Sequence, residues 1–432
     1  MHRKNALCAM LFCVLGGCVH FPPIADMRAG VSAAPPAAAA TMPFLFDDNR
    51  VFVEIAFIRP DGSRREALAF VNMGAGAFVL SNKLFRELAP KPGTPLHIAF
   101  GTLDIALDGA AVQPESIANS LTIGLDPFAG PPDMAKAAQG EGGMMAGFAA
   151  PLPVEAEIPP GLLQHFVVTY DYAARTMTLA PPGAPAPEGI AVPLRIAPHS
   201  GVAVVDVVSD GTRHPFVLDN GGSWGLVRDA GVWTKPHPDW LRGVGGIGEA
   251  NYLMDGQDAD VPVLVLRDVH VGPLTLAHVG VAQTAGDGLL AGWISGLFWD
   301  RIYAPKAGEP VEGAIGGDVL RHFKLSIDYP RRMSYWQEQS PLDGGDLDQV
   351  GIVLGRRNGE TRIAAVARKD GSETVTGVQP DDKLLKIGDL DTATATRGQL
   401  LGALHGRPGE SKRLLLERDG KQFTVDVSIT AF

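Results

Sequence analysis

The chain has 432 residues, 46% apolar and 20% charged, with a formal net charge of −11. That length exceeds one ordinary core and predicts two or three globular domains. The acidic balance removes the electrostatic footprint that a nucleic-acid partner needs. The 52 glycines and 34 prolines favour short strands joined by turns over long helices. All three cysteines, Cys8, Cys13 and Cys18, lie at the start, so the body has neither a disulfide nor a thiolate metal site. The eleven histidines are scattered without ligand spacing, and neither a metal nor a cofactor is expected.

The chain opens with Arg3 and Lys4, followed by an apolar run from Ala6 to Leu15. About ten apolar residues are too few to span a bilayer and suit a secretory signal core. The run ends in Leu15-Gly16-Gly17-Cys18, which resembles the lipobox of bacterial lipoproteins. The resemblance implies a signal peptide over 1–17, a lipid on Cys18, and membrane attachment without a spanning helix. Val19 comes next in place of Asp, which by the same resemblance points to the periplasmic face of the outer membrane. Residues 18–42 are rich in Ala and Pro, lack apolar periodicity, and read as a tether.

An internal repeat organises the body of the chain. Ala69-Phe70-Val71-Asn72-Met73-Gly74-Ala75-Gly76 runs on to Phe78-Val79-Leu80. Phe216-Val217-Leu218-Asp219-Asn220-Gly221-Gly222-Ser223 runs on to Leu226-Val227. Each is an apolar strand, a Gly-rich turn and another apolar strand. Each comes after a hairpin signal, Asp61-Gly62 or Asp210-Gly211. The copies also close alike, with His165-Phe166 through Asp171-Tyr172 matching His322-Phe323 through Asp328-Tyr329. The expected units are a lobe over 43–183 and a second over 188–337.

An apolar pair, Asp, a small polar residue, Gly and then Ala or Ser resembles the signature loop of aspartic peptidases. Ala314-Ile315-Gly316 supplies the later element that packs beneath that loop in the family. The resemblance covers 43–337 and is stronger in the second copy. It implies a mainly β, bilobal fold with a peptide-binding cleft and one catalytic carboxylate from each lobe. Two such carboxylates share one proton because both cannot ionise side by side. Asp219 matches the catalytic Asp of lobe 2, and its counterpart in lobe 1 is Asn72, a degenerate partner. An amide can hydrogen-bond a carbonyl but cannot hold or pass the shared proton. Gly74, Gly221, Ser223 and Gly316 take the loop-supporting positions. Met73, Gly76 and Pro159 depart from the pattern in lobe 1, and Met73 and Pro159 are expected to distort its loop. The resulting expectation is a peptide-engaging protein with weak or lost catalysis, the rival being an active endopeptidase using Asp219 with Asn72.

Two further motifs lie in the second copy. Gly221-Gly222-Ser223-Trp224-Gly225 fits a nucleophile elbow, so a serine hydrolase using Ser223 is the alternative of another class. Gly243-Val244-Gly245-Gly246-Ile247-Gly248 fits a dinucleotide fingerprint but lacks a strand before it and a helix after it. Residues 286–312 form an insertion without a counterpart in lobe 1, apolar around Trp293 and Trp299 and expected to be buried.

Residues 338–347 read as a linker and 348–432 as a small α+β domain. Gly351-Ile352-Val353-Leu354 and the run Gly377-Val378-Gln379-Pro380-Asp381-Asp382 resemble the carboxylate loop and a later segment of PDZ domains. Thr396 and Gln399 read as a capping box, and Asp419-Gly420 as a hairpin turn. The resemblance implies binding of C-terminal peptides by strand addition beside Gly351, Ile352, Val353 and Leu354. The expected partners are thus peptides or proteins, with the membrane reached through the lipid.

Overall fold

The computed structural model describes residues 39–115, 152–245, 261–284, 292, 295–296, 298–342, 347–357 and 360–432. Cys18 and the expected signal peptide lie outside them. Among the described residues no helix is long and apolar enough to cross a membrane.

The chain is mainly β. Lobe 1 begins with β1 (Ala40–Asp47), β2 (Arg50–Ile58), β3 (Arg64–Val71) and β4 (Phe78–Leu80). Helix α1 (Asn82–Leu88) comes next, with the Ser81 hydroxyl accepting the Leu84 N–H as its N-cap. After it come β5 (Pro95–Phe100), β6 (Leu103–Asp108), β7 (Val112–Pro114) and β8 (Val154–Ile158). The short α2 (Pro160–Leu163), β9 (Val167–Asp171) and β10 (Thr176–Ala180) close the lobe. Residues 40–42, assigned to the tether by composition, are instead the start of β1, where Ala40, Thr41 and Met42 pair with Leu179, Thr178 and Met177. Ala40 and Met42 alternate with exposed neighbours and bury their side chains, so the pairing overrides the Ala/Pro signal.

Lobe 2 repeats the plan with β11 (Ile190–Pro193), β12 (Arg195–Ile196), β13 (Ala203–Ser209), β14 (Thr212–Leu218) and β15 (Gly225–Val227). It continues through α3 (Ala230–Thr234), β16 (Leu241–Val244), β17 (Pro262–Val271) and β18 (Leu274–Gln283). A π-turn (Phe298–Tyr303) leads into α4 (Ala304–Ala307). The lobe ends with β19 (Gly313–Ile315), α5 (Gly317–Leu320), β20 (Phe323–Asp328) and β21 (Met333–Glu338). Asp210 and Gly211 both take positive φ, as a two-residue hairpin between right-twisted strands requires.

The lobes share a platform. Its order is β11-β21-β20-β9-β10-β1, so three strands from each lobe form one antiparallel sheet joined at β20–β9. At that seam the hydroxyls of Thr169 and Ser326 meet at 2.8 Å. Above it the lobes match strand for strand. β3 runs parallel to β8 and β14 parallel to β19, while β4 and β15 cross back antiparallel on the same partners. One large core runs beneath both lobes, from Val53 and Phe57 to Ile327 and Trp336.

The C-terminal unit has β22 (Ile352–Arg357), β23 (Glu360–Val366), β24 (Arg368–Lys369) and β25 (Ser372–Glu373). It continues with β26 (Lys383–Ile387), β27 (Leu390–Asp391), α6 (Arg397–Leu404), β28 (Ser411–Arg418) and β29 (Lys421–Ser428). The Thr396/Gln399 capping box starts α6. The unit has its own core around Ile352, Leu384 and Leu414. It is also sewn to lobe 2: β24 pairs with β16, and Leu347, Ala367 and Phe432 join the cluster containing Trp224 and Val263.

Candidate functional site

Asn72 and Asp219 directly follow β3 and β14, at the same step of the two repeats. The Asn72 N–H donates to the Ile158 carbonyl at 3.0 Å, and the Asp219 N–H to that of Ile315 at 3.0 Å. Pro159 therefore does not distort the first loop, contrary to the expectation from sequence. Its φ of −85° and ψ of 162° nearly equal the −86° and 177° of Gly316, a backbone that a proline ring accepts. Gly316 has a separate reason to be glycine: a Cβ there would run into the backbone of Trp224.

The two loops press together. A Cβ on Gly74 would collide with the Asp219 carboxylate, and one on Gly221 with the Asn72 amide. Only glycine at both positions lets the side chains from opposite lobes come this near. Across the seam the Met73 N–H donates to Asn220 Oδ1 at 2.8 Å. Met73 has no hydroxyl to return that bond. The reverse tie comes from Arg50, whose Nε–H donates to the Gly221 carbonyl at 2.9 Å.

The polar atoms of the Asn72 and Asp219 side chains are engaged from within. Asp219 Oδ1 accepts the N–H of Gly221 at 2.9 Å, and Oδ2 accepts the Tyr303 hydroxyl at 2.5 Å. Asn72 Oδ1 accepts the Gly74 N–H at 2.8 Å, and its Nδ2 donates to Glu157 Oε1 at 2.7 Å. The Lys306 ammonium donates to the Gly74 carbonyl at 3.1 Å and lies over the Tyr303 ring. Asn72 and Asp219 are each only 3% exposed and Lys306 4%.

Burial pushes Glu157 up to about 7; the Asn72 hydrogen bond and then Lys306 oppose this, and Asp219 adds to it. Burial likewise pulls Lys306 down to about 8, against the raising influence of Asp219 and Glu157.

Tyr303 and Lys306 come from the insertion, where Phe298, Trp299 and Tyr303 pack into the second core cluster. Sequence reasoning missed both because the repeat supplies no counterpart for them. It also missed Glu157, whose one signal is an acidic residue inside the otherwise apolar end of Val154–Ile158.

Ser223 is wholly buried, its Oγ has no hydrogen-bond partner among the described residues, and it precedes strand β15. A nucleophile elbow needs an exposed hydroxyl with a helix after it, and this serine has neither. Its carbonyl instead accepts the Asn49 amide at 3.1 Å and the Asp318 N–H at 3.0 Å. Gly243 lies in β16, and 246–248 fall outside the described residues. Among the described residues no group of His, Cys, Asp and Glu could hold a metal.

Ile352, Val353 and Leu354 form the start of β22 rather than a loop, paired with Val366, Ala365 and Ile363. All three are fully buried. Gly351 precedes them, its carbonyl accepting the Ala367 N–H at 2.8 Å. β22 ends its sheet's strand order, with the Val350 N–H bonded to the Leu404 carbonyl of α6 at 2.9 Å.

No family model matches the chain, and no curated protein matches it. Among solved structures it is similar to the aspartic proteinase from Irpex lacteus, with a TM-score of 0.37 and 12% identity. That match covers 70% of this chain and 98% of the proteinase.

Proposed function

We propose that the chain is an aspartic-peptidase-like envelope lipoprotein that engages polypeptides between its lobes and cuts them weakly or not at all. One observation carries this reading. An amide, Asn72, stands opposite Asp219, and the Tyr303 hydroxyl already donates to Oδ2 of that carboxylate. Water activation by a carboxylate pair needs one ionised oxygen to take a proton and a second acid to polarise the carbonyl. Here the second group is not an acid and the first is engaged.

Two further features belong to the same reading: a lipid on Cys18 at the periplasmic face of the outer membrane, and addition of a peptide C-terminus along β22 beside Gly351–Leu354. The test incubates the mature full-length chain with an unfolded protein and with a hydroxyl-bearing transition-state peptide mimic. C-terminal peptides are titrated in free and amidated forms. The expected result is binding without appreciable cleavage, weakened when the peptide carboxylate is amidated. Cleavage at ordinary peptidase rates, blocked by the mimic, would favour the active endopeptidase. Labelling of Ser223 by a serine-reactive phosphonate would favour the hydrolase reading.

A further inference from the structure

We infer that Glu157 is the acid of lobe 1: a positioning residue that holds the Asn72 amide and keeps a carboxylate out of position 72. The inference rests on the reading of Asn72 and Asp219 as the two floor positions.

The register makes the exchange visible. Phe70 pairs with Glu157 in lobe 1, and Val217 pairs with Ala314 in lobe 2, so Glu157 and Ala314 occupy one structural position. A methyl group in one lobe is matched by a carboxyl group in the other. Glu157 is 1% exposed, flanked in the sheet by Phe70 and Val79. Burying a carboxyl there is costly unless something answers it. The Asn72 Nδ2 does so at 2.7 Å, and the buried Lys306 ammonium adds a favourable field. Asp219 and Glu115 are the acids whose fields oppose it.

The orientation of Asn72 is set by its two partners. A backbone N–H from Gly74 needs an acceptor, and the Glu157 oxygen needs a donor, so the amide can face only one way. An aspartate at 72 would set a carboxylate oxygen against Glu157 at hydrogen-bond distance. One of the two would have to keep a proton. Lobe 1 thus carries its acid on the strand beneath the loop and its amide on the loop. Restoring Asp at 72 alone gives three acids around one lysine, whereas pairing it with Glu157→Gln exchanges the two roles and leaves two.

The test compares the full chain with Asn72→Asp, Glu157→Gln and the double variant by thermal unfolding across pH. At acid pH, where the acids are protonated, the four curves should lie close together. As pH rises past neutrality Asn72→Asp should fall progressively below the parent, and the double variant should recover most of that loss. Glu157→Gln should fold, because its carbonyl still accepts from Asn72. Asn72→Asp tracking the parent at every pH would overturn the inference, as would a double variant no more stable than Asn72→Asp. If Asn72→Asp does not fold at neutral pH, the double variant still must. Peptide cleavage measured on the same parent preparation separates the two ideas. Cleavage at ordinary peptidase rates sinks the weak-or-silent-site reading without altering the stability curves.

Discussion

Arg50, at the tip of the first hairpin of lobe 1, fastens the Asp219 loop of lobe 2 through its 2.9 Å bond to the Gly221 carbonyl. Asp48 lies behind it and takes both Arg50, at 2.5 Å, and Arg397 of the C-terminal unit, at 2.8 Å. Asp47 adds a third link, accepting the Gly398 N–H at 3.1 Å near the start of α6. All three charged side chains of the Arg50–Asp48–Arg397 group are at least 95% buried. The candidate site and the C-terminal unit are therefore joined through one hairpin tip. Asp48 and Asn49 hold positive φ at 54° and 55° to form it.

Removing the centre of that link should be costly. Asp48→Ala leaves two buried guanidinium groups without their shared carboxylate, and such a loss is typically about 3–5 kcal/mol. Denaturant unfolding of the full chain reads it. A change within about 0.5 kcal/mol, the usual range for an ordinary surface substitution, would show that the pairs contribute little.

Tyr303→Phe removes the donor on Asp219 Oδ2 and keeps the packing of the ring. The loss of a hydrogen bond to a charged group should cost about 1.5–3 kcal/mol in stability. The freed oxygen should also bind the hydroxyl-bearing peptide mimic more tightly than the parent does, measurable by calorimetry. Equal affinity in both proteins would mean that Tyr303 does not compete for that oxygen.

Glu157 gives stability a defined pH dependence. Its folded pKa, about 7, lies above the ordinary 4.5 because of burial. Between those values the folded chain holds more protons than the unfolded one, so this contribution is full below about 4.5 and is lost as pH rises through about 7. Lys306 acts in the opposite sense, its contribution being present above the ordinary 10.5 and lost as pH falls through about 8. Glu157→Gln should flatten the acid-to-neutral slope of the melting temperature and leave the alkaline limb governed by Lys306. An unchanged acid-to-neutral slope would show that Glu157 does not titrate there.

Lipid attachment has a direct test in cells. Replacing Cys18 with Ser should move the mature protein from the membrane fraction to the soluble periplasm. Retention on membranes after a high-salt wash would place the anchor elsewhere.

The sequence carried the mainly β class because its signals are local. Val205 and Val207 alternate toward the core, and Asp210-Gly211 supplies the φ values of a tight turn. The repeat also set Asn72 against Asp219, since a duplicated strand-turn-strand places equivalent residues at equivalent steps. The Asp48-Asn49 turn was overlooked, although Asp-Asn between Phe44–Phe46 and Val51–Val53 is a workable hairpin signal without glycine.

Local pattern alone thus determined most of the strands, the glycine-bearing turns and the identity of the two loop residues, because these depend on residues a few positions apart. It could not determine what fills the space around those loops. Tyr303, 84 positions from Asp219, and Glu157, 85 positions from Asn72, reach the floor only when separate elements pack together. Glu157 falls on the polar phase of the alternation Val154-Glu155-Ala156-Glu157-Ile158, which reads as solvent-facing, and Tyr303 lies in an insertion without a repeat partner, so neither hydrogen bond can be read from the local pattern. Burial then fixes the protonation of Glu157 and Lys306, and burial exists only once both lobes and the insertion have closed around them.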